Sequence, residues 1–172
     1  MPVAKKLQSL RARITTPISI IGGYGADFIG GKYATINAGA GNDRIANSGF
    51  KCSINAGDGN DFVNNNGKTQ ATIDTGSGND TILNGHLGAT TGACDALINM
   101  GTGNDSILNY SSYLTIKTGE GSDWIKNYEA TKVSIEAGDG RLRHHFSLGL
   151  GGRKKLYNSQ RGQGQRLHDF LF

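Results

Sequence analysis

One twelve-residue pattern recurs along the chain, and it constrains the possible fold more than any other feature. Residues 36–47 read INAGAGNDRIAN, and residues 54–65 read INAGDGNDFVNN. The copies share an Ile, two variable residues, Gly-x-Gly-Asn-Asp, one residue, an aliphatic residue, one residue and Asn. The remaining copies are IIGGYGADFIGG from residue 20, IDTGSGNDTILN from 73, INMGTGNDSILN from 98, IKTGEGSDWIKN from 116 and a truncated IEAGDG from 135. Such self-similarity is the signature of a repeat architecture.

Each copy predicts two short β-strands, one before and one after the Gly-rich turn. Strands this short cannot bury their side chains alone, but stacked copies would align the aliphatic residues into two facing ladders. The predicted ladders are Ile20, Ile36, Ile54, Ile73, Ile98, Ile116 and Ile135 before the turn, and Ile29, Ile45, Val63, Ile82, Ile107 and Ile125 after it. The fold predicted for residues 18–140 is therefore all-β: a parallel β-roll or β-solenoid of about six stacked coils.

The composition agrees with a repeat array that has a thin core. The 172 residues include 27 glycines and 2 prolines, and the hydrophobic fraction is 36%, which is low for a globular domain. Glycine supplies the positive φ angles that tight turns need. The Asn that closes each copy could form a hydrogen-bonded amide ladder along the axis; these residues are Asn47, Asn65, Asn84, Asn109 and Asn127.

The aspartate of each turn poses an electrostatic problem. Stacked at the inter-strand spacing of about 5 Å, these carboxylates would repel one another and raise one another's pKa. A column of carboxylate and turn carbonyl oxygens, with no His or Cys in the motif, is the ligand chemistry that Ca²⁺ prefers over Mg²⁺ or Zn²⁺. The pattern therefore predicts calcium between successive turns.

The segment GGYGAD at residues 22–27 and the later Gly-x-Gly-Asn-Asp copies resemble the repeats-in-toxin (RTX, haemolysin-type) calcium-binding repeats. The resemblance covers roughly residues 18–140. It implies a β-roll that binds Ca²⁺ through aspartate carboxylates and turn carbonyls, in a protein that bacteria secrete, commonly without a signal peptide. The implied ligands are Asp27, Asp43, Asp61, Asp80, Asp105 and Asp123, with Gly23, Gly25, Gly39, Gly41, Gly57, Gly59, Gly76, Gly78, Gly101, Gly103, Gly119 and Gly121.

The spacing departs from the commonest arrangement of that family, in which metal turns alternate on both edges. Here successive aspartates are 16 to 25 residues apart, and the segments between copies contain few acids. We therefore expect the calcium turns on one edge only. The longest step contains the insert HLGATTGACDA, which should bulge from the other edge with His86 and Asp95 as solvated loop residues.

An alternative is a metal-independent scaffold, or an ice- or surface-binding solenoid of the kind found in some bacterial adhesins. Ice binding needs a regular outward array of Thr and Asn. The Asn column is present, but the residues between the two glycines include one Thr and three acids; they are Tyr24, Ala40, Asp58, Ser77, Thr102, Glu120 and Asp139.

The net charge of +4 divides unevenly along the chain. Residues 1–17 form a basic segment, and residues 141–172 carry seven basic residues and one acid, whereas residues 18–140 carry seven basic residues and thirteen acids. The repeat domain is thus acidic, and no nucleic-acid partner is expected.

The repeat pattern stops at Arg141, and residues 141–172 are expected to be a poorly ordered or aberrant tail. Some possible codons read one base later permit residues of the repeat, including Asp and two Ile after Gly140 and Gly-Asn-Asp near Gly164, so a frameshift is one interpretation. A basic interaction tail is the other.

No motif indicates an enzyme. The chain lacks H-E-x-x-H, G-x-S-x-G and a phosphate-binding P-loop, and its four histidines lie outside the repeats. The sequence also lacks an apolar run that could span a membrane and an ordinary secretory signal. Cys52 and Cys94 fit no metal spacing and are expected to be unpaired thiols. The expected protein is an extracellular or cell-surface calcium-binding module whose macromolecular partner is unknown.

Overall fold

A computed structural model describes residues 18–31, 34–48, 51–66, 70–85, 93–128, 130, 132–147, 155–159 and 166–167. These residues contain β-strands and turns and no helix. None of them therefore forms a helix long and apolar enough to span a membrane.

The chain alternates between two sheets, one built from odd-numbered and one from even-numbered strands. The odd strands are β1 (Ile18–Tyr24), β3 (Ala34–Ala40), β5 (Ser53–Asp58), β7 (Thr72–Ser77), β9 (Ala93–Asn99), β11 (Ser112–Lys117) and β13 (Val133–Glu136). The even strands are β2 (Phe28–Gly31), β4 (Arg44–Asn47), β6 (Phe62–Asn65), β8 (Thr81–Asn84), β10 (Ser106–Asn109), β12 (Ser122–Tyr128) and β14 (Arg141–Ser147). Within each sheet these strands are parallel and follow chain order.

The register matches equivalent residues of successive copies. Ile54 pairs with Ile73 in one sheet, and Val63 pairs with Ile82 in the other. Because Ile and Val point inward from both sheets, the two predicted ladders form the core; every member is buried except Ile20, which packs against its margin. The predicted parallel β-solenoid is confirmed, with five full turns between the first and last repeat aspartates.

The parallel pairing continues beyond the expected boundary at residue 140. Strand β14 pairs with β12 from Ser122↔Arg141 to Tyr128↔Ser147, and Leu142 and His144 are buried. Two further strands, β15 (Lys155–Ser159) and β16 (Arg166–Leu167), pair antiparallel with β14 and β13. The basic segment 1–17, residues 86–92 of the predicted bulge and the rest of the tail lie outside the described residues. The prediction that Asp95 is a loop residue is wrong, because the strand of the next coil, β9, already begins at Ala93.

Candidate metal centre

The candidate site is the row of turns that lead from the odd-numbered sheet to the even-numbered sheet. Every glycine expected at these turns from Gly23 to Gly121 has a positive φ, between 80° and 139°. L-residues rarely adopt such angles, which explains the Gly-x-Gly spacing in each copy.

Stacking imposes a second requirement on the same glycines. A Cβ on Gly57 would lie 1.8 Å from the carbonyl oxygen of Gly39, and one on Gly59 would lie 1.9 Å from that of Gly41. Each coil thus packs directly on the peptide groups of the coil before it. The glycines are needed to bring successive turns this close together.

The repeat aspartates line up beside these glycines and point into the solenoid. Asp43, Asp61, Asp80, Asp105 and Asp123 are 1–3% exposed, and Asp27 at the first coil is partly buried. The structure thus brings all six predicted carboxylates into one column. Buried carboxylates are costly unless they are neutralised or fully hydrogen-bonded.

One oxygen of each carboxylate after the first is hydrogen-bonded to the preceding coil. The backbone N–H of Asp43 donates to Oδ1 of Asp61 at 2.7 Å, and that of Asp61 donates to Oδ1 of Asp80 at 2.8 Å. The same bond joins Asp27 to Asp43, Asp80 to Asp105, and Asp105 to Asp123. The aspartates therefore link the coils as well as filling the turns.

The other oxygen, Oδ2, is buried without a hydrogen-bond partner in all six aspartates. The hydroxyl of Thr75 donates to Met100 O, but it and Thr118 lie near enough to Asp80 and Asp123 to lower the pKa of those carboxyls against the effect of burial. A half-satisfied buried carboxylate normally marks an ion, a proton or a water that completes its shell. Because Oδ2 has the same surroundings in every coil, its lack of a protein partner is a property of the motif rather than of one turn.

Burial raises the pKa of five of these carboxyl groups. Desolvation, reinforced by neighbouring carboxylates and opposed by the backbone hydrogen bond, raises the pKa of Asp61 to about 6 and that of Asp105 to about 7. The pKa values of Asp43, Asp80 and Asp123 are also raised, again mainly by desolvation. The column therefore favours whatever neutralises it, whether a proton or a cation.

A second column lies on the outer side of the same turns and runs in the opposite sense. The backbone N–H of Asn60 donates to Oδ1 of exposed Asn42, that of Asn79 to Asn60, and that of Asn104 to Asn79. Here each coil donates to the coil before it, whereas in the aspartate column each coil donates to the coil after it. The exposed amides thus reinforce the turn from the solvent side.

The donor set fits an ion held between coils better than an ion held by a cluster of acids. Among the described residues there is no group of three His, Cys, Asp or Glu side chains that could hold a metal. In a column with one aspartate per coil, an ion between neighbouring coils meets two carboxylates, and carbonyl oxygens must supply its remaining ligands. The turns are rich in such oxygens, although many already accept an inter-coil bond, as Asp58 O does from Gly41 N–H at 2.7 Å.

The opposite edge of the solenoid is occupied by the predicted asparagine ladder, which is confirmed. Nδ2 of Asn65 donates to Oδ1 of Asn84 at 2.7 Å, and Nδ2 of Asn84 donates to Oδ1 of Asn109 at 2.8 Å. At one end of the ladder, Sγ of Cys52 donates to Oδ1 of Asn47. At the other end, Nδ2 of Asn127 lies 2.7 Å from Nε2 of His144. These amides satisfy one another, so this ladder is structural.

The aspartate column ends at β14. Leu142 pairs in register with Asp123 and is 2% exposed, so an apolar side chain stands where a seventh aspartate would lie. Sequence reasoning missed this residue because it ended the solenoid at residue 140. The alternation of polar and apolar residues from Arg141 to His144 was the available strand signal.

Comparisons with protein-family models, with curated proteins and with solved structures found no match to this chain.

Proposed function

We propose that this protein is a calcium-binding β-solenoid module, the structural part of a secreted or cell-surface bacterial protein, that folds when Ca²⁺ binds. The observation that supports it most directly is the buried, unpartnered Oδ2 atom repeated in all six turn aspartates. Five of these oxygens, those of Asp43, Asp61, Asp80, Asp105 and Asp123, belong to carboxyl groups whose pKa desolvation raises. The resemblance to RTX repeats supports the same assignment.

In this proposal Asp27, Asp43, Asp61, Asp80, Asp105 and Asp123 supply Oδ2, and carbonyl oxygens of the adjoining Gly-x-Gly turns complete each shell. Oxygen-only ligands and a flexible coordination number suit Ca²⁺ better than Mg²⁺, which requires near-octahedral geometry. A bound Ca²⁺ would cancel the repulsion between neighbouring carboxylates and join two coils. The free energy of binding would then contribute to folding.

The roles of the chain's own residues follow from their contacts. The backbone N–H groups of the preceding coil fix Oδ1, which leaves Oδ2 oriented and unshared. The glycines allow the coils to approach closely enough for adjacent carboxylates to share an ion. The asparagine ladder holds the opposite edge in the same register.

Isothermal titration calorimetry of metal-free protein tests this proposal. Six aspartate turns leave five inter-coil positions, so about five equivalents of Ca²⁺ should bind, with Mg²⁺ far weaker. Absence of any Ca²⁺ heat, with no gain of β structure by circular dichroism over the same titration, would contradict it.

A metal-independent scaffold is the second candidate. The observation that favours it is the pKa of Asp105, raised to about 7, because a proton could then neutralise the column near neutral pH. In that case the module would be fully folded without Ca²⁺ and would serve as a rigid spacer or an adhesive surface.

A further inference from the structure

The outer face of the even-numbered sheet carries a row of cationic, aromatic and hydroxyl side chains. Register places Arg44 beside Phe62, then Thr81, Ser106, Trp124 and Arg143 on successive strands from β4 to β14. All six side chains point outward and are exposed or partly exposed. The row reads cation, aromatic, hydroxyl, hydroxyl, aromatic, cation.

The cations and aromatic rings of this row lie at regular distances along the axis of the solenoid. The guanidinium of Arg44 lies over the ring of Phe62, 4.7 Å from its centroid, and Trp124 is 38% exposed. With strands roughly 4.8 Å apart, the two aromatic residues are about 14 Å apart and the two arginines about 24 Å apart. Between the rings lie the short side chains of Thr81 and Ser106, which leave room for a ligand.

The described residues of this face include no acid. The neighbouring outward row carries Ala46, Asn64, Leu83, Leu108 and Lys126. The opposite sheet differs: its outward rows are mostly hydroxyls and amides and contain Asp74 and Glu136. The even-numbered face is therefore cationic and aromatic, although residues 18–140 as a whole carry an excess of six negative charges.

We infer that this row binds an acidic polysaccharide in which carboxylate groups occur only at intervals. Sugar rings present C–H faces that pack on Phe62 and Trp124, and their hydroxyls can bond Thr81 and Ser106. Arg44 and Arg143 supply planar, bidentate partners for uronate carboxylates at the two ends of the row.

A densely charged polymer fits this face less well. Single-stranded nucleic acid needs cations that follow every phosphate, whereas here hydroxyls separate the two arginines. The acidic repeat domain would also repel a polyphosphate more strongly than a chain with sparse carboxylates. The inference requires the folded solenoid and its sheet face, and it does not depend on which ion neutralises the aspartate column.

Binding of a hyaluronan decasaccharide, measured by calorimetry on the full chain in CaCl₂ buffer, tests the inference. The wild type should bind it, bind a neutral chitin hexamer more weakly and bind oligo-dT more weakly still. Trp124→Ala should weaken hyaluronan binding by about tenfold, as loss of one stacking aromatic does elsewhere. Arg44→Gln should weaken hyaluronan binding and leave chitin binding unchanged.

The opposite sheet supplies matched controls. Leu97→Ala removes an apolar residue that is 40% exposed, and Lys117→Gln removes a half-exposed cation. Neither should change hyaluronan binding. Circular dichroism of each variant confirms the fold, and Arg143→Gln replaces Trp124→Ala if that variant unfolds. The inference is overturned if the folded wild type does not bind hyaluronan, if oligo-dT binds more tightly, or if Leu97→Ala weakens binding as much as Trp124→Ala does.

Discussion

Asp61 and Asp80 lie in neighbouring coils, and the backbone N–H of Asp61 donates to Oδ1 of Asp80 at 2.8 Å, while Oδ2 of Asp80 has no partner. One carboxylate therefore has two distinct roles. Oδ1 joins the folded coils through the protein's own backbone, whereas Oδ2 needs a partner that the protein does not itself supply. This division predicts opposite effects of a single substitution in the presence and absence of Ca²⁺.

Asp80→Asn should stabilise the metal-free protein and weaken the calcium-loaded one. The amide keeps an oxygen for the N–H of Asp61 but removes the buried charge, which should add roughly 1–3 kcal/mol to the metal-free free energy of unfolding. With Ca²⁺ present, the substitution removes a ligand shared by two inter-coil positions. Urea denaturation in Ca²⁺ measures the loss, and the β content in excess chelator, measured by far-UV circular dichroism, reports the gain.

Asp74→Asn is the control, because Asp74 is exposed on the outer face of β7 and should alter neither value by more than about 0.5 kcal/mol. Asp27→Asn should have a smaller effect than Asp80→Asn, since Asp27 has a repeat neighbour on one side only. If Asp80→Asn changes stability in the same direction in both buffers, the assigned role of Oδ2 is wrong.

Metal-free protein should lose stability as pH rises from about 4 to about 7. Burial raises the pKa of Asp61 from its ordinary 3.8 to about 6 and that of Asp105 to about 7, so the folded state binds more protons than the unfolded state across this window. Stability must then fall with increasing pH, because unfolding releases those protons.

The β content of resin-treated, metal-free protein, measured by far-UV circular dichroism at pH 4.5, 6 and 8, reports this dependence. Excess Ca²⁺ should abolish the fall, since Ca²⁺ binding requires the ionised carboxylates and strengthens as they deprotonate. Metal-free stability that rises between pH 4.5 and 8 would show that the carboxylates are stabilised by contacts of their own.

Extending the aspartate column should add a calcium site. Leu142 occupies the aspartate position of the next coil and Arg141 the asparagine position, following Gly138-Asp139-Gly140. The double variant Arg141→Asn/Leu142→Asp should bind one more equivalent of Ca²⁺ by calorimetry and be less stable without metal. The variant Arg141→Asn/Leu142→Asn introduces a polar side chain without the charge and should bind no additional Ca²⁺. An unchanged stoichiometry in the first variant would contradict sharing of ions between coils.

Alanine substitutions at the turn glycines should destabilise the protein to different degrees, depending on which atoms the added Cβ would meet. Gly78 and Gly25 both have positive φ, but a Cβ on Gly78 would lie 2.0 Å from Gly59 O, whereas one on Gly25 meets nothing within 4 Å. Gly25→Ala should cost the conformational strain alone, about 1–3 kcal/mol. Gly78→Ala should cost roughly 1–3 kcal/mol more by overpacking. Equal losses in urea denaturation would show that the close stacking contributes nothing.

The repeat made the fold predictable from sequence, because each residue type recurs at a position with one structural role. The sequence alone assigns Ile54 and Ile73 to the core, and Asn65 and Asn84 to an amide ladder. What the sequence did not reveal was the hydrogen bond from the Asp61 backbone to Asp80. That bond depends on the axial offset between coils, which spacing along the chain does not specify.

The repeat pattern also did not predict where the solenoid ends. Arg141, Leu142 and His144 match none of the motif's residues, yet they pair with β12 because parallel pairing needs only backbone groups and an inward apolar side chain. The basic and aromatic row from Arg44 to Arg143 could not be predicted from the sequence for a related reason. Its members occupy variable positions of the motif, and only the register brings them together.

Whether Ca²⁺ binding drives folding is best tested by far-UV circular dichroism during a Ca²⁺ titration of metal-free protein at pH 8. At this pH the aspartate column should be ionised, and the many glycines make ordering of the chain entropically costly. We expect a largely disordered spectrum in excess chelator that gains β structure as Ca²⁺ is added, with Mg²⁺ unable to replace it. A chelated spectrum already identical to the calcium-loaded one would contradict the claim that Ca²⁺ binding drives folding.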